Sequence, residues 1–163
     1  MNLFICGSIK IKDKEWIFSK IEECIAEKNF TNITILEGEA RGVDLIAKEW
    51  ALAHDIPVKE YPPDMQHYLH KEACHKRNED MTKDCDFALM LWNGKSYGTF
   101  DDIQLCEKYS KPYKICYYDL TEHMQKFLSL ALEKFKPNLA DGPRELLDDI
   151  WDEAMKIRGR YTH

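Results

Sequence analysis

An α/β chain with a mostly parallel, five-stranded sheet sandwiched between helical layers is the fold class this sequence predicts. Three observations carry it: five short apolar runs, helical-period segments between them, and Gly-containing loops leading from runs into helices. Leu3-Phe4-Ile5-Cys6 is the first run and ends at Gly7-Ser8. Residues 13 to 28 repeat Ile17, Ile21, Cys24 and Ile25 on one helical face. Ile33 to Leu36 is a second, β-branched run closed by Glu37-Gly38, and Val43, Ile46, Ala47, Trp50 and Ala51 then follow at helical spacing. Ile56 to Tyr61 reads as the third strand, residues 67 to 84 as a helix, and Phe87 to Trp92 as the most apolar strand. Asp101 to Tyr109 is a helix and Tyr113 to Tyr118 the last strand. Strands that alternate with helices imply right-handed crossovers and a parallel sheet covered on both faces, a three-layer sandwich.

Residues 1–118 account for that pattern, and residues 119–163 form a helical extension. Thr121 to Lys136 reads as one helix, Pro137-Asn138 and Asp141-Gly142-Pro143 as punctuation. Leu146, Leu147, Ile150, Trp151, Ala154 and Ile157 then mark a second amphipathic helix with Pro143 near its start. That stripe needs cover, from the domain itself or from a second subunit.

At 163 residues the chain suits one compact domain. Its net charge of −6 argues against a nucleic-acid partner, because duplex binding draws on a Lys/Arg excess. Neither a charged-then-apolar leader nor a long apolar run occurs, so a cytoplasmic protein without a membrane partner is expected. The six cysteines include no C-x-x-C pair and are read as reduced thiols.

In parallel sheets of this kind, ligands sit outside the carboxyl ends of the strands. The unusual residues of this chain lie in those loops: Gly7-Ser8 after the first strand, Gly38 to Asp44 after the second, and Asn93 to Thr99 after the fourth. Glycine lets backbone approach a ligand closely, hydroxyls add donors, and a helix N-terminus favours an anion. Three such loops on one edge point to a nucleotide-sized ligand. The candidate contacts are Gly7, Ser8, Gly38, Arg41, Gly42, Asp44, Asn78, Asn93, Gly94, Lys95, Ser96, Tyr97, Gly98 and Thr99. Tyr97 is placed to stack on a base, or else is an exposed turn residue. Arg41 and Asp44 flank a helix start and either cap it, pair with each other or contact a ligand. His67, His70 and Cys74 share a helical face beside His75, but no fourth ligand is evident, so neither a metal nor another cofactor is expected.

The stretches GEARGVDLIAKEWALAHDIPV, KRNEDM and DFALMLWNGKSYGTFDDI resemble the SLOG superfamily of Rossmann-like proteins. That group includes the lonely-guy phosphoribohydrolases, the Smf DNA-uptake proteins and small Arg-Gly-x-Asp/Arg-Asn-x-x-Met members, to which this chain is most similar. The resemblance spans roughly residues 1 to 118 and implies a Rossmann-like fold. In lonely-guy enzymes an arginine and a Pro-Gly-Gly-x-Gly-Thr-x-x-Glu motif supply the catalytic pair that releases a base from a nucleoside 5'-monophosphate. Arg77 matches the arginine, Gly98-Thr99 the Gly-Thr, and Asp102 the acid. The chain departs from the motif at Gly94-Lys95-Ser96, at Asn78 in place of a lysine, and at Asp102, which is one methylene shorter. Glu39 also stands where many relatives carry glycine. The resemblance also implies a homo-oligomer, most simply a dimer.

Two classes of function follow. One is a binding protein that senses or sequesters a nucleotide or ADP-ribose-type signal, with weak hydrolysis at most. The other is a phosphoribohydrolase in which Asp102, or its neighbour Asp101, stabilises an oxocarbenium-like sugar while Arg77 holds the phosphate. A DNA-binding, Smf-like role is third. Arg77 could instead pair with Glu79 or Asp80 on the helix surface, and Asp101 and Asp102 could simply stabilise a first helical turn.

Overall fold

The computed structural model describes residues 1–161. Its five strands are β1 (Asn2–Gly7), β2 (Thr34–Glu37), β3 (Val58–Glu60), β4 (Phe87–Trp92) and β5 (Tyr113–Tyr117). The helices are α1 (Lys14–Lys28), α2 (Val43–Ala53), α3 (His70–Asp84), α4 (Tyr97–Lys108), α5 (Glu122–Leu139) and α6 (Leu146–Tyr161). All four strand pairings are parallel, and the strand order is β3-β2-β1-β4-β5. This is the Rossmann-like α/β architecture expected. The order reverses between β1 and β4, so the crevice for a ligand lies at the carboxyl ends of those two strands.

Alternation along the central strands sorts the core into two layers. Leu3 and Ile5 of β1, with Leu89 and Leu91 of β4, pack against Ile17 and Ile21 of α1 and Val43 and Trp50 of α2. Phe4 and Cys6, with Met90 and Trp92, face the other way, onto Met81 of α3, Phe100 and Ile103 of α4, and the last two helices. The apolar stripe of α5 and α6 (Phe127, Leu128, Ala131, Leu147, Ile150, Ala154) is buried in this second cluster, within the chain itself. Gln104 fastens the α5–α6 turn by donating from Nε2 to the carbonyls of Leu139 at 3.1 Å and Gly142 at 2.9 Å.

Several element boundaries differ from the sequence reading. α3 begins at His70 rather than 67, because Asp64 caps a separate turn by accepting from the main-chain N–H groups of Gln66 and His67. Pro137 lies inside α5, near its end, where it removes one N–H of the last turn and only two helical residues follow it. The largest difference is α4, which begins at Tyr97 and not at Asp101. Ser96 is its N-cap, accepting from the Thr99 N–H, so Asp101 and Asp102 fall in the second turn and are not first-turn stabilisers.

Candidate ligand cleft at the switch point

A cleft of about 680 Å³ opens at the carboxyl edge of the sheet, within the size range of small-molecule sites. The β1–α1 loop supplies Ser8 and Lys10, the β2–α2 loop Arg41, and α3 Arg77 and Asn78. The β4–α4 segment adds Asn93, Lys95, Ser96, Tyr97 and Gly98. Beneath it a chamber of about 90 Å³ is lined by Cys6, Gly7, Asp44, Arg77 and Asp102. It is much the smaller of the two spaces. A side lobe of about 470 Å³ runs along α3, past His70, Lys71, Cys74 and His75.

Local hydrogen bonds shape these walls. Asn93 Oδ1 accepts from the Lys95 and Ser96 N–H groups, each at 2.9 Å, which turns the chain into α4. Asn93 Nδ2 reaches Ser8 Oγ at 3.4 Å and so joins the β1 and β4 loops. Asp44 Oδ2 accepts from the N–H groups of Gly38 and Ala40, at 3.1 and 3.3 Å, and draws the β2–α2 loop over the helix. Neither Arg41 pairing nor a conventional cap is its role. Arg77 turns away from Glu79 and Asp80, which pair with Lys76, and faces the cleft. Its Nη1 donates to Gly38 O at 2.8 Å and its Nε to Asn78 Oδ1 at 3.2 Å.

Four predicted contacts serve the loop framework instead of lining the cleft. Gly42 has φ +74°, and a Cβ there would meet the Ile9 carbonyl oxygen at 2.7 Å, so it is required by the fold. Gly94 faces Trp151 and Leu128. Thr99 is buried with its hydroxyl on Ser96 Oγ at 3.3 Å, and Gly38 supplies main-chain groups to Arg77 and Asp44. Glu39 adopts φ +61°, the left-handed conformation that favours glycine. Its N–H donates to Glu37 Oε2 at 2.6 Å.

The two adjacent aspartates have different fates. Asp101 lines the side lobe, where its carboxylate accepts from His75 Nδ1 at 2.9 Å and from Asn78 Nδ2 at 3.3 Å. Asp102 is 4% exposed at the chamber wall, and its Oδ1 has no hydrogen-bond partner among the described residues. Burial, reinforced by the charges of Asp101 and Asp44, pushes its carboxyl well above the ordinary range. The fold therefore favours the protonated form of Asp102 more than that of an exposed aspartate. Asp44 is raised to about 6 by burial, opposed by Arg77 and its two N–H donors.

Sequence reasoning missed Lys10, Pro63 and Arg144 as cleft residues, and it weighed His70 and Cys74 only as metal ligands. Lys10 follows Ser8 by two residues and was within reach of a longer loop. Arg144 carries no signal at all, since it comes from the α5–α6 turn. His67 pairs with Asp64 at 2.8 Å and His75 with Asp101, so the histidines noted for their spacing diverge. Among the described residues no group of three or more His, Cys, Asp or Glu side chains is placed to hold a metal ion. No helix among them is long and apolar enough to cross a membrane.

Residues 1–68 match the model of the YspA, cpYpsA-related SLOG family. No curated protein matches the chain in sequence. Among solved structures, DNA processing protein A from Helicobacter pylori, described for its single-stranded DNA binding mode, shares the fold with a TM-score of 0.56. The two are 19% identical, over 94% of this chain and 81% of that one. This neighbour overturns the expectation that nucleic acid is an unlikely partner. A protein of like fold binds a DNA strand, and net charge averages over a surface whose cleft is locally basic. The match to this SLOG family is thus to the N-terminal part of the chain, β1 to β3, and the parallel sheet with its switch-point crevice is in keeping with it.

Proposed function

We propose that this chain binds a phosphorylated nucleotide in the switch-point cleft and acts as a sensor or sequestering protein, with hydrolysis at most a weak side activity. One observation carries the reading. In a protein of net charge −6, a single cleft collects Lys10, Arg41, Arg77, Lys95 and Arg144 against one carboxylate, Glu39. Such a concentration of cations attracts anions and raises their local concentration. Hydroxyl and amide donors from Ser8, Ser96, Asn78 and Asn93 supply directional contacts for phosphate oxygens.

The same geometry favours binding over N-glycosidic cleavage. A hydrolase of this type needs an ionised carboxylate at the sugar to stabilise oxocarbenium charge and activate water. Asp102 is buried with its carboxyl held well above the ordinary range, which opposes ionisation, while Asp101 is occupied by His75 and Asn78. A second reading, binding of a single-stranded nucleic acid, draws on the basic cleft and its aromatic Tyr97, a pairing common in strand-binding grooves.

Calorimetric titration with a panel of nucleoside monophosphates, diphosphates and a short oligonucleotide, run beside a base-release assay, separates these readings. Binding of a mononucleotide with no base release supports the proposal. Rapid release that falls by about 10² or more in Asp102→Asn, the scale of a positioned acid–base group, would establish the hydrolase instead.

A further inference from the structure

The cleft has two ends, and a different arginine marks each. Arg77 lines the main cleft and the inner chamber, whereas Arg144 lines the main cleft and the side lobe. We propose that Arg144 is a second anion station, so that the ligand is a nucleotide carrying two phosphoryl groups, diphosphate-bridged or bis-phosphorylated, rather than a simple monophosphate. This deepens the nucleotide-binding reading and rests on it.

Arg144 is held in place more firmly than an exposed arginine on a turn would ordinarily be. Its guanidinium lies 4.8 Å from the centroid of the Tyr97 ring, a cation–π arrangement that leaves the N–H edge of the fork available. Tyr97 is in turn fixed by donating from its hydroxyl to Asp148 Oδ1 of α6 at 2.6 Å. The turn that carries Arg144 is clamped from below by Gln104, and α6 is tied to the β4–α4 loop by Trp151 Nε1 on the Gly94 carbonyl at 2.5 Å. Asp141, Glu145, Asp148 and Asp149 all lie near it in sequence, yet no carboxylate among the described residues forms an ion pair with Arg144. Asp148 goes to the tyrosine instead. A preorganised, carboxylate-free guanidinium facing a cavity suits bidentate recognition of a phosphate.

The opposite wall agrees. Lys71 adds a second positive charge to the lobe, with His70 and His75 beside it. The one acid there, Asp101, already accepts from His75 and Asn78. A monophosphate seated at Arg77 would leave this end without a partner, whereas a ligand extended along the cleft would meet both. The C-terminal helical pair is then part of the recognition machinery, supplying Arg144 and orienting Tyr97.

The test is calorimetric titration of wild type, Arg144→Ala, Arg144→Lys and Arg77→Ala with AMP, ADP-ribose, adenosine 3',5'-bisphosphate and a ten-nucleotide DNA strand. Wild type should bind one of the two doubly anionic nucleotides about tenfold or more tighter than AMP, the scale of one charge-assisted contact. Arg144→Ala should bring that ratio toward one, Arg144→Lys should restore part of it, and Arg77→Ala should weaken all the nucleotides. A ratio unaffected by Arg144→Ala, with AMP still bound, overturns this inference while the nucleotide reading stands. Failure of every nucleotide to bind overturns both. Tighter, Arg144-dependent binding of the DNA strand overturns the inference in favour of a nucleic-acid ligand.

Discussion

Arg77 and Gly38 form one unit: the guanidinium donates to the Gly38 carbonyl at 2.8 Å, and a Cβ on Gly38 would stand 2.9 Å from Arg77 Nε. A larger residue there would push aside the side chain that crosses over it. Two substitutions that share no chemistry should therefore have the same effect. Arg77→Ala removes a charge-assisted phosphate contact worth about 1.5–3 kcal/mol and should weaken AMP roughly tenfold or more, with little change for adenosine. Gly38→Ala displaces the guanidinium and should give a loss of the same kind. Equal losses for AMP and adenosine in Arg77→Ala would place the guanidinium away from the phosphate.

Gly98 lies in the first turn of α4, and a Cβ there would find only Ser96 Oγ, at 3.9 Å. The fold gives no steric reason for glycine inside a helix, where it is weaker than alanine by roughly 0.5–1 kcal/mol. Gly98→Ala should raise stability by about that amount in urea denaturation. Gly98→Trp should fold normally and lose nucleotide binding, because its side chain enters the cleft. Undiminished affinity in the tryptophan variant would rule out this cleft as the nucleotide site.

Glu37, buried at the end of β2, is raised to about 7 from an ordinary 4.5, chiefly by desolvation. The fold thus prefers its protonated form. That contribution is complete below about pH 4.5 and is lost as the pH rises through 7. Glu37→Gln keeps an acceptor for the Glu39 N–H and removes the titration. The stability of the variant relative to wild type should therefore grow from near zero at pH 4.5 to about 1–3 kcal/mol at pH 8. A difference that stays constant between these values would show that Glu37 is not the titrating group.

Cys74 is half-buried in the cleft wall, whereas Cys6, Cys24, Cys85 and Cys106 are buried in the core. Cys116 is also partly exposed but lines a different surface hollow with Lys114 and Trp16, so it is an internal control. Alkylation of Cys74 relative to Cys116, read by mass spectrometry, should slow about tenfold when a nucleotide is present at ten times its Kd. Parallel slowing of both thiols, or of neither, would place the ligand elsewhere.

Much of this architecture is local information. The short apolar runs Leu3–Cys6 and Phe87–Trp92 and the helical spacing of Ile17, Ile21 and Cys24 specify strands and helices. Strands separated by helices leave a parallel sheet as the economical solution. The loops at Ser8, Arg41 and Asn93–Gly98 converge because every carboxyl end of a parallel sheet lies on one edge. The helix start at Tyr97 was misread because the apolar period begins later than the Ser96 cap. The state of Asp102 was out of reach for a different reason. Asp102 directly follows Asp101, yet a step of about 100° around the helix turns one carboxyl toward His75 and buries the other at the chamber wall, where burial and the neighbouring aspartates push its pKa up. Arg144 shows the same limit at long range. Spacing along the chain determines which face of a helix is apolar, but a site's charge depends on which distant turns fold over it, and that is decided by tertiary packing of α5 and α6 on β4 and α4.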